Sequence, residues 1–287
     1  MMFDFSEDEF LFMLAAGVAG AAGIIHWVRL VSPNPPLRDR LGPSPRLGLL
    51  ALPAVCLAMV TTVIWNWADP AQVAGHVDYL ILFLAGAATW FGLTVAAISA
   101  LGIHLRYDVV ESGNPAAAIS IVGATLANAL IYAGGNIGAG PTIWTTIFPA
   151  AVGSLALCLL WFLVEATTLL SDAITIDRDQ ASGIRVAGWA IASSIVLGRS
   201  VAGDWTGWDS TFEHFIKLSW PAAALTAGMI LIQIRWRPSP ERPHPSAQSG
   251  LLPALAMVLA AILYVMTLPP PEIGEHVITY DEYMNYR

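Results

Sequence analysis

Long apolar runs, each bounded by charged residues, Pro or Gly, recur along the whole chain. A bilayer core about 30 Å thick is crossed by a helix of roughly 20 apolar residues. The pattern predicts eight transmembrane helices, at residues 10–32, 47–67, 77–105, 115–135, 142–173, 183–202, 212–234 and 251–268. The third and fifth are longer than a perpendicular span requires, so we expect them to tilt or to project beyond the hydrocarbon.

The composition agrees with this pattern and argues against a soluble protein. Of the 287 residues, 56% are hydrophobic and 12% are charged, whereas a soluble domain has roughly a quarter of its residues charged. The predicted fold class is therefore an all-α integral membrane protein. Its two cysteines lie inside apolar runs, without partners at metal-ligand spacing, so we predict neither a zinc site nor a redox site.

The distribution of Lys and Arg predicts the orientation, because these residues are retained on the cytoplasmic side of a membrane. When the loops are assigned alternately to two sides, ten basic residues, Arg185 among them, fall on one side and three on the other. We therefore expect a protein of the bacterial inner membrane with both termini on the outer side. The tryptophans of the outer side fit an interfacial belt or, alternatively, the rim of a cation-attracting vestibule; they are Trp65, Trp67, Trp144, Trp205, Trp208 and Trp220.

Two segments of the chain resemble each other at a spacing of 65 residues. Residues 114–123 align with 179–188, and each opens with a polar residue that can cap a helix, followed by small and apolar residues. Weaker echoes begin at residues 44 and 244. This pattern predicts four parallel helix-hairpin repeats, at residues 1–70, 71–138, 139–204 and 205–270, followed by an acidic outer tail at 271–287.

These openings also carry a family resemblance. Residues 109–204, with two copies of the pattern Asn/Asp-x-Ala-x-x-Ile-x-x-x-Gly, resemble the bacterial inner-membrane family of domain of unknown function three hundred and fifty, the YjfL-like proteins. The resemblance implies tandem helix pairs in which the second helix follows a cytoplasmic turn. This chain would be an extended form with about four hairpins. The family has no settled activity, so the resemblance implies topology and not function.

Ionisable and polar side chains inside spans are costly and are therefore candidate functional groups. Glu165 is the foremost, because it lies inside the fifth helix with Thr168 close by in sequence. Glu165 would carry a proton or bind a cation, or else have a structural role in which it forms hydrogen bonds between helices. Asn128, near the middle of the fourth helix, is expected to bond to a neighbouring helix. Gln233 is expected to be interfacial.

Arg199, near the outer end of the sixth helix, breaks the charge pattern of its side. We expect it to form an ion pair with Asp204, Asp78 or Glu213, or to bind an anionic group. Because it lies at the opposite depth from Glu165, a direct pair between these two is not predicted.

Haem is the one cofactor that the histidines suggest, since paired histidines in a membrane protein can ligate haem iron. His26 and His104 fall near cytoplasmic helix ends, and His76 and His214 fall near outer ends. Single histidines at such edges are usually solvated, so we predict no haem and no metal. Catalytic motifs such as Gly-x-Ser-x-Gly and His-Glu-x-x-His are missing from the sequence, and we expect no enzyme.

Two functions fit these observations. One is transport or conduction of a small cation or proton through the helix bundle; the other is a non-catalytic membrane subunit that anchors or scaffolds a larger complex. Transport predicts that the polar groups converge on one internal cavity, whereas a subunit predicts a packed interior. The expected partners are the lipid bilayer and either a second copy of the chain or other membrane subunits, without nucleic acid.

Overall fold

A computed structural model of the protein describes residues 7–32, 42–68, 77–239 and 246–273. In these ranges eight helices are long and apolar enough to cross a membrane. They are α1 Glu7–Val31, α2 Pro43–Trp67, α3 Val77–Ala100, α4 Pro115–Gly134, α5 Trp144–Thr168, α6 Gln180–Ser200, α7 Trp208–Trp236 and α8 Ala247–Thr267. The prediction of an all-α membrane protein is confirmed.

The third and fifth helices are not the overlong spans that hydropathy predicted. The chain leaves α3 before Gly102, whose φ is +90°, and then forms a seven-residue π-helix over Leu105–Glu111. It leaves α5 at Leu169, which has the left-handed φ and ψ of 49° and 49°, and continues in a short helix over Leu170–Thr175. We call these two short elements the connecting helices.

Helix α6 is the centre of the bundle. In its most apolar 18-residue window 83% of the residues are buried, compared with 17% in α1. Helices α4 and α8 pack on α6, and α2 packs on α4, so the four even-numbered helices form a row. Helices α5 and α7 also pack against α6, while α1 packs mainly against α3.

Small residues let the helices of this row approach very closely. A Cβ atom added at Gly183 of α6 would lie 2.6 Å from the carbonyl oxygen of Ala116 in α4. One added at Gly250 of α8 would lie 2.7 Å from the carbonyl oxygen of Ala181 in α6. The two interfaces therefore use the same kind of contact, which suits a membrane, where close packing rather than water exclusion holds helices together.

Extended residues connect the even-numbered helices where these helices finish. Ala68, after α2, forms an isolated parallel bridge with Gly138, after α4. Asp204, after α6, accepts a 2.8 Å hydrogen bond at Oδ1 from the backbone N–H of Ala139 and donates its own N–H to the carbonyl of Glu272 at 3.0 Å. The segments that follow the four even-numbered helices are thus hydrogen-bonded to one another in chain order.

The two ends of the bundle carry different residues, and we name them accordingly. The tryptophan end, where the even-numbered helices finish, carries Trp65, Trp67, Trp144, Trp205 and Trp208. The arginine end, where they begin, carries Arg29, Arg106, Arg178, Arg185 and Arg235. Trp205 departs from the predicted interfacial belt, because it is 3% exposed and packs edge-on against Trp208 with ring centroids 4.8 Å apart.

Candidate functional site

The four polar residues singled out from the sequence lie at three separate places. Glu165 and Thr168 are in the last turn of α5, at the arginine end. Asn128 is in the middle of α4, and Arg199 is one residue before the end of α6, at the tryptophan end. The structure does not bring these groups into one site.

Glu165 bridges the break between α5 and the connecting helix that follows it. Its Oε2 accepts the backbone N–H of Ser171 at 2.8 Å, and its Oε1 accepts the Ser171 hydroxyl at 2.6 Å. A carboxylate accepting these donors satisfies backbone at a helix start that would otherwise lack a partner. Thr168 takes no part, because its hydroxyl donates to the carbonyl of Val164 at 2.7 Å.

Asn128 joins three helices. Its Nδ2 donates to Thr94 Oγ1 in α3 at 2.5 Å, and its Oδ1 accepts the Ser154 hydroxyl in α5 at 2.7 Å. The indole of Trp90, again in α3, donates to the same Ser154 oxygen at 2.9 Å. Both ends of the amide are therefore used in holding helices together.

Arg199 does not form the expected ion pair with Asp204, Asp78 or Glu213. Its Nη2 donates to the carbonyl of Pro269 at 2.5 Å, while its buried Nη1 has no hydrogen-bond partner in the part of the chain that the structure describes. Glu213 pairs with the exposed Lys217 instead, at 2.7 Å. Arg199 thus keeps a buried, charged donor without an acceptor.

Three of the four histidines considered as haem ligands lie on the surface. His26 on α1, His104 at the start of the first connecting helix and His214 on α7 are all exposed. His76 lies outside the described residues. Among the residues that can be described, no group of three or more His, Cys, Asp or Glu side chains is placed to hold a metal ion.

Of the charged side chains within the described ranges, the most strongly buried is that of Arg185, which the charge count assigned to a cytoplasmic loop. Its side chain is 0% exposed. Nε donates to Gln233 Oε1 at 3.0 Å, Nη1 to the carbonyl of Ser249 at 3.2 Å, and Nη2 to Ser182 Oγ at 2.9 Å. Gln233, expected at the interface, is likewise fully buried. We call Asp179, Ser182, Arg185 and Gln233 the Arg185 cluster.

The start of α6 explains how this charge is accommodated. Asp179 is the N-cap, and its carboxylate accepts the N–H groups of Ala181 and Ser182 as well as the Ser182 hydroxyl. Arg185 Nη2 lies 3.4 Å from Asp179 Oδ2. A buried charge is tolerated when it is both paired and hydrogen-bonded. The spacing of residues 179, 182 and 185, which places them on one face of a helix, was the available signal.

The start of α4 has the same capping geometry without a charge. Asn114 Oδ1 accepts the N–H groups of Ala116 and Ala117, as Asp179 does at α6. The preceding residues, Gly113 and Arg178, have left-handed φ values of 62° and 56°. The two openings therefore match locally, while the division of the chain into four repeats stays a prediction.

Comparison with known proteins places these elements in a family. A family model described as Domain of Unknown Function (DUF350) matches residues 52–201, which is just over half of the chain. The chain belongs to the DUF350 family. The DUF350 region runs from α2 to the end of α6 and contains Glu165, Asn128, Arg199 and Arg185, whereas Gln233 lies beyond it. No curated protein and no solved structure matches this DUF350 chain.

Proposed function

We propose that this DUF350 protein is a non-catalytic membrane subunit that anchors or scaffolds partner proteins in a bacterial inner membrane. The observation that carries the proposal is the dispersal of the intramembrane polar groups. Glu165 and the Arg185 cluster lie at the arginine end and Asn128 lies in the middle of α4, and each is hydrogen-bonded to its own set of neighbours. A passage for ions would need such groups to share one cavity.

The Arg185 cluster supports the same reading. Every nitrogen of the guanidinium donates to an oxygen of α6, α7 or α8, or of the Asp179 cap, so the charge is already hydrogen-bonded within the protein. The cluster joins three helices in a fixed arrangement. A rigid, internally satisfied bundle suits a protein that presents surfaces to partners.

The outer surface of the bundle is apolar over whole helix faces. Helix α8 exposes a row of large side chains at helical spacing, namely Leu251, Leu252, Leu255, Leu259, Ile262 and Leu263. In a membrane such a face contacts lipid or the helices of another protein. It gives the proposed partners an area on which to pack.

Transport of a proton or small cation is the second candidate, and the helix break at Leu169 favours it. Interrupted helices often frame ion sites in transporters, because unpaired backbone groups there can bind a solute. Glu165 stands at this break. If the protein transports a proton or cation, the Glu165 carboxylate would give up its hydrogen bonds from Ser171 and bind that proton or cation instead.

The proposal is tested by isolating the full-length protein from its own membranes in a mild detergent and measuring the mass of the assembly. We expect co-migration with a partner at fixed stoichiometry. A Gly188→Leu variant is the control, because a Cβ there would already lie 2.3 Å from the Ala254 Cβ, and it identifies proteins that bind only misfolded chains. A homogeneous monomer that conducts ions in proteoliposomes would contradict the scaffold and support transport.

A further inference from the structure

A large apolar cavity opens at the tryptophan end, lined by the four even-numbered helices. Its volume is about 310 Å³, at the lower end of the range of about 300–1,000 Å³ in which proteins bind small molecules. Val63 and Trp67 line it from α2, Leu130 from α4, Arg199 from α6 and Val265 from α8. It is a distinct feature of the bundle, remote from Glu165 and from the Arg185 cluster.

Among the residues that the structure describes, Arg199 is the one charged side chain that lines this cavity. The hydroxyl of Ser194, which also lines it, already donates to the carbonyl of Ile191 at 2.7 Å. The cavity therefore offers a single cation in an otherwise hydrophobic wall. Such a lining suits a molecule with one anionic group and a long apolar part.

The guanidinium of Arg199 is held in place, but not all of its nitrogen atoms have a hydrogen-bond acceptor. Nη2 is fixed by the carbonyl of Pro269, whereas Nη1 is buried and has no acceptor within the described ranges. A buried donor without a partner is unfavourable, and more so when it is charged. An anionic oxygen of a ligand would accept a hydrogen bond from Nη1, and the planar guanidinium is well suited to phosphate.

The depth of the cavity indicates where the ligand comes from. Trp67 is the last residue of α2, and Arg199 lies one residue before the end of α6. Tryptophan and arginine at helix ends lie at the level of lipid headgroups, and the apolar wall extends from there toward the hydrocarbon. A soluble anion would find one donor and no further polar contact.

We propose that this cavity binds an anionic phospholipid, with its phosphate at Arg199 and one acyl chain between Val63, Leu130 and Val265. The lipid belongs to the leaflet at the tryptophan end. It fills the space between α2 and α8 and supplies the acceptor that Nη1 lacks.

Native mass spectrometry of the full chain in detergent tests the proposal, with phosphatidylglycerol and diacylglycerol of identical acyl chains as probes, because diacylglycerol has no phosphate to accept a hydrogen bond from Arg199. We expect phosphatidylglycerol to bind about tenfold more tightly, the effect of one charge-assisted hydrogen bond. Arg199→Gln should remove this preference. Lys217→Gln, which removes an exposed cation from α7 near the same end, should retain it.

A second variant tests the acyl chain independently of the charge. Val63→Trp narrows the cavity but leaves Arg199 intact, so it should weaken phosphatidylglycerol binding by a similar factor. Lipid binding by Val63→Trp also tests the proposed site if the Arg199→Gln variant does not fold. Millimolar inorganic phosphate should not displace the lipid, because phosphate has no acyl chain to occupy the apolar part of the cavity.

Four results would overturn the proposal. They are an unchanged preference in Arg199→Gln, an equal loss in Lys217→Gln, normal binding by Val63→Trp, and displacement by inorganic phosphate alone. A lipid-free dimer that Val63→Trp dissociates would show instead that a second copy of the chain occupies the cavity.

Discussion

Arg185 donates from Nε to the Oε1 of Gln233 at 3.0 Å, and both side chains are 0% exposed. The first lies in α6 and the second in α7. Gln233 in turn donates from Nε2 to Ser182 Oγ at 2.8 Å, which returns the connection to α6. The two residues form a closed polar cross-link inside an apolar bundle, so removing either one takes away a buried hydrogen-bond partner of the other.

Replacing Arg185 with Met should destabilise the protein by about 3–5 kcal/mol, because it leaves the Asp179 carboxylate buried without its cation. Thermal unfolding in detergent measures the loss. The double variant with Asp179→Asn should recover part of it, since the buried charge is then gone. Lys217→Gln, at an exposed ion pair, should leave the midpoint unchanged. An unaltered midpoint in Arg185→Met would show that the cross-link carries little stability.

Hydropathy predicted the eight spans because each span needs only a run of apolar residues. It missed the breaks at Gly102 and Leu169, since a single left-handed residue inside an apolar run barely changes the mean hydropathy. Leu169 gives no sequence signal at all, because leucine rarely adopts this conformation. The boundary errors therefore arise from local backbone geometry.

The candidate site was less predictable than the fold. The count of basic residues assigned Arg185 to a loop, because such a count depends on residue type and takes no account of burial. The contact of Glu165 with Ser171, six residues away, exists only because the helix breaks between them. Asn128 was predictable, since an amide in mid-span has few uses other than bonding to a neighbouring helix.

The close approach of α4 and α6 predicts a strong effect of added volume. A Cβ at Gly123 would lie 2.5 Å from the Ala187 Cα, so Gly123→Ala should cost about 1–3 kcal/mol through overpacking. Gly228→Ala is the matched control, because a Cβ there meets nothing within 4 Å. It should be neutral or stabilising by roughly 0.5–1 kcal/mol, as a helical alanine is preferred to glycine. Equal unfolding midpoints for the two variants would contradict this packing.

The predicted outer location of both termini can be tested with reporters that are active only in the cytoplasm. A reporter fused after Arg287 should give no signal, because eight spans and the excess of basic residues at the arginine end place that terminus outside. The same reporter inserted at Gly113, in the turn before α4 at the arginine end, should be active. A strong signal from the Arg287 fusion would reverse the orientation.

Glu165→Gln distinguishes the structural role of this side chain from a role in transport. As a bridge across the break at Leu169, glutamine keeps one acceptor oxygen for Ser171, so the fold should persist with a loss of about 1 kcal/mol. Ser171→Ala removes the hydroxyl donor and should cost a similar amount. Thermal unfolding of both variants measures these changes, and a fold lost in either one would show that the bridge is essential.

Ion flux in proteoliposomes, followed with a pH-sensitive dye, completes the comparison. If Glu165 carries a proton or binds a cation, Glu165→Gln should abolish flux while Ser171→Ala retains it, because only the first change removes the titratable group. If the side chain is a bridge alone, the wild type should conduct neither protons, monovalent cations nor polyamines. Flux by the wild type that depends on Glu165 but not on Ser171 would therefore refute the scaffold function, even with the fold unchanged in both variants.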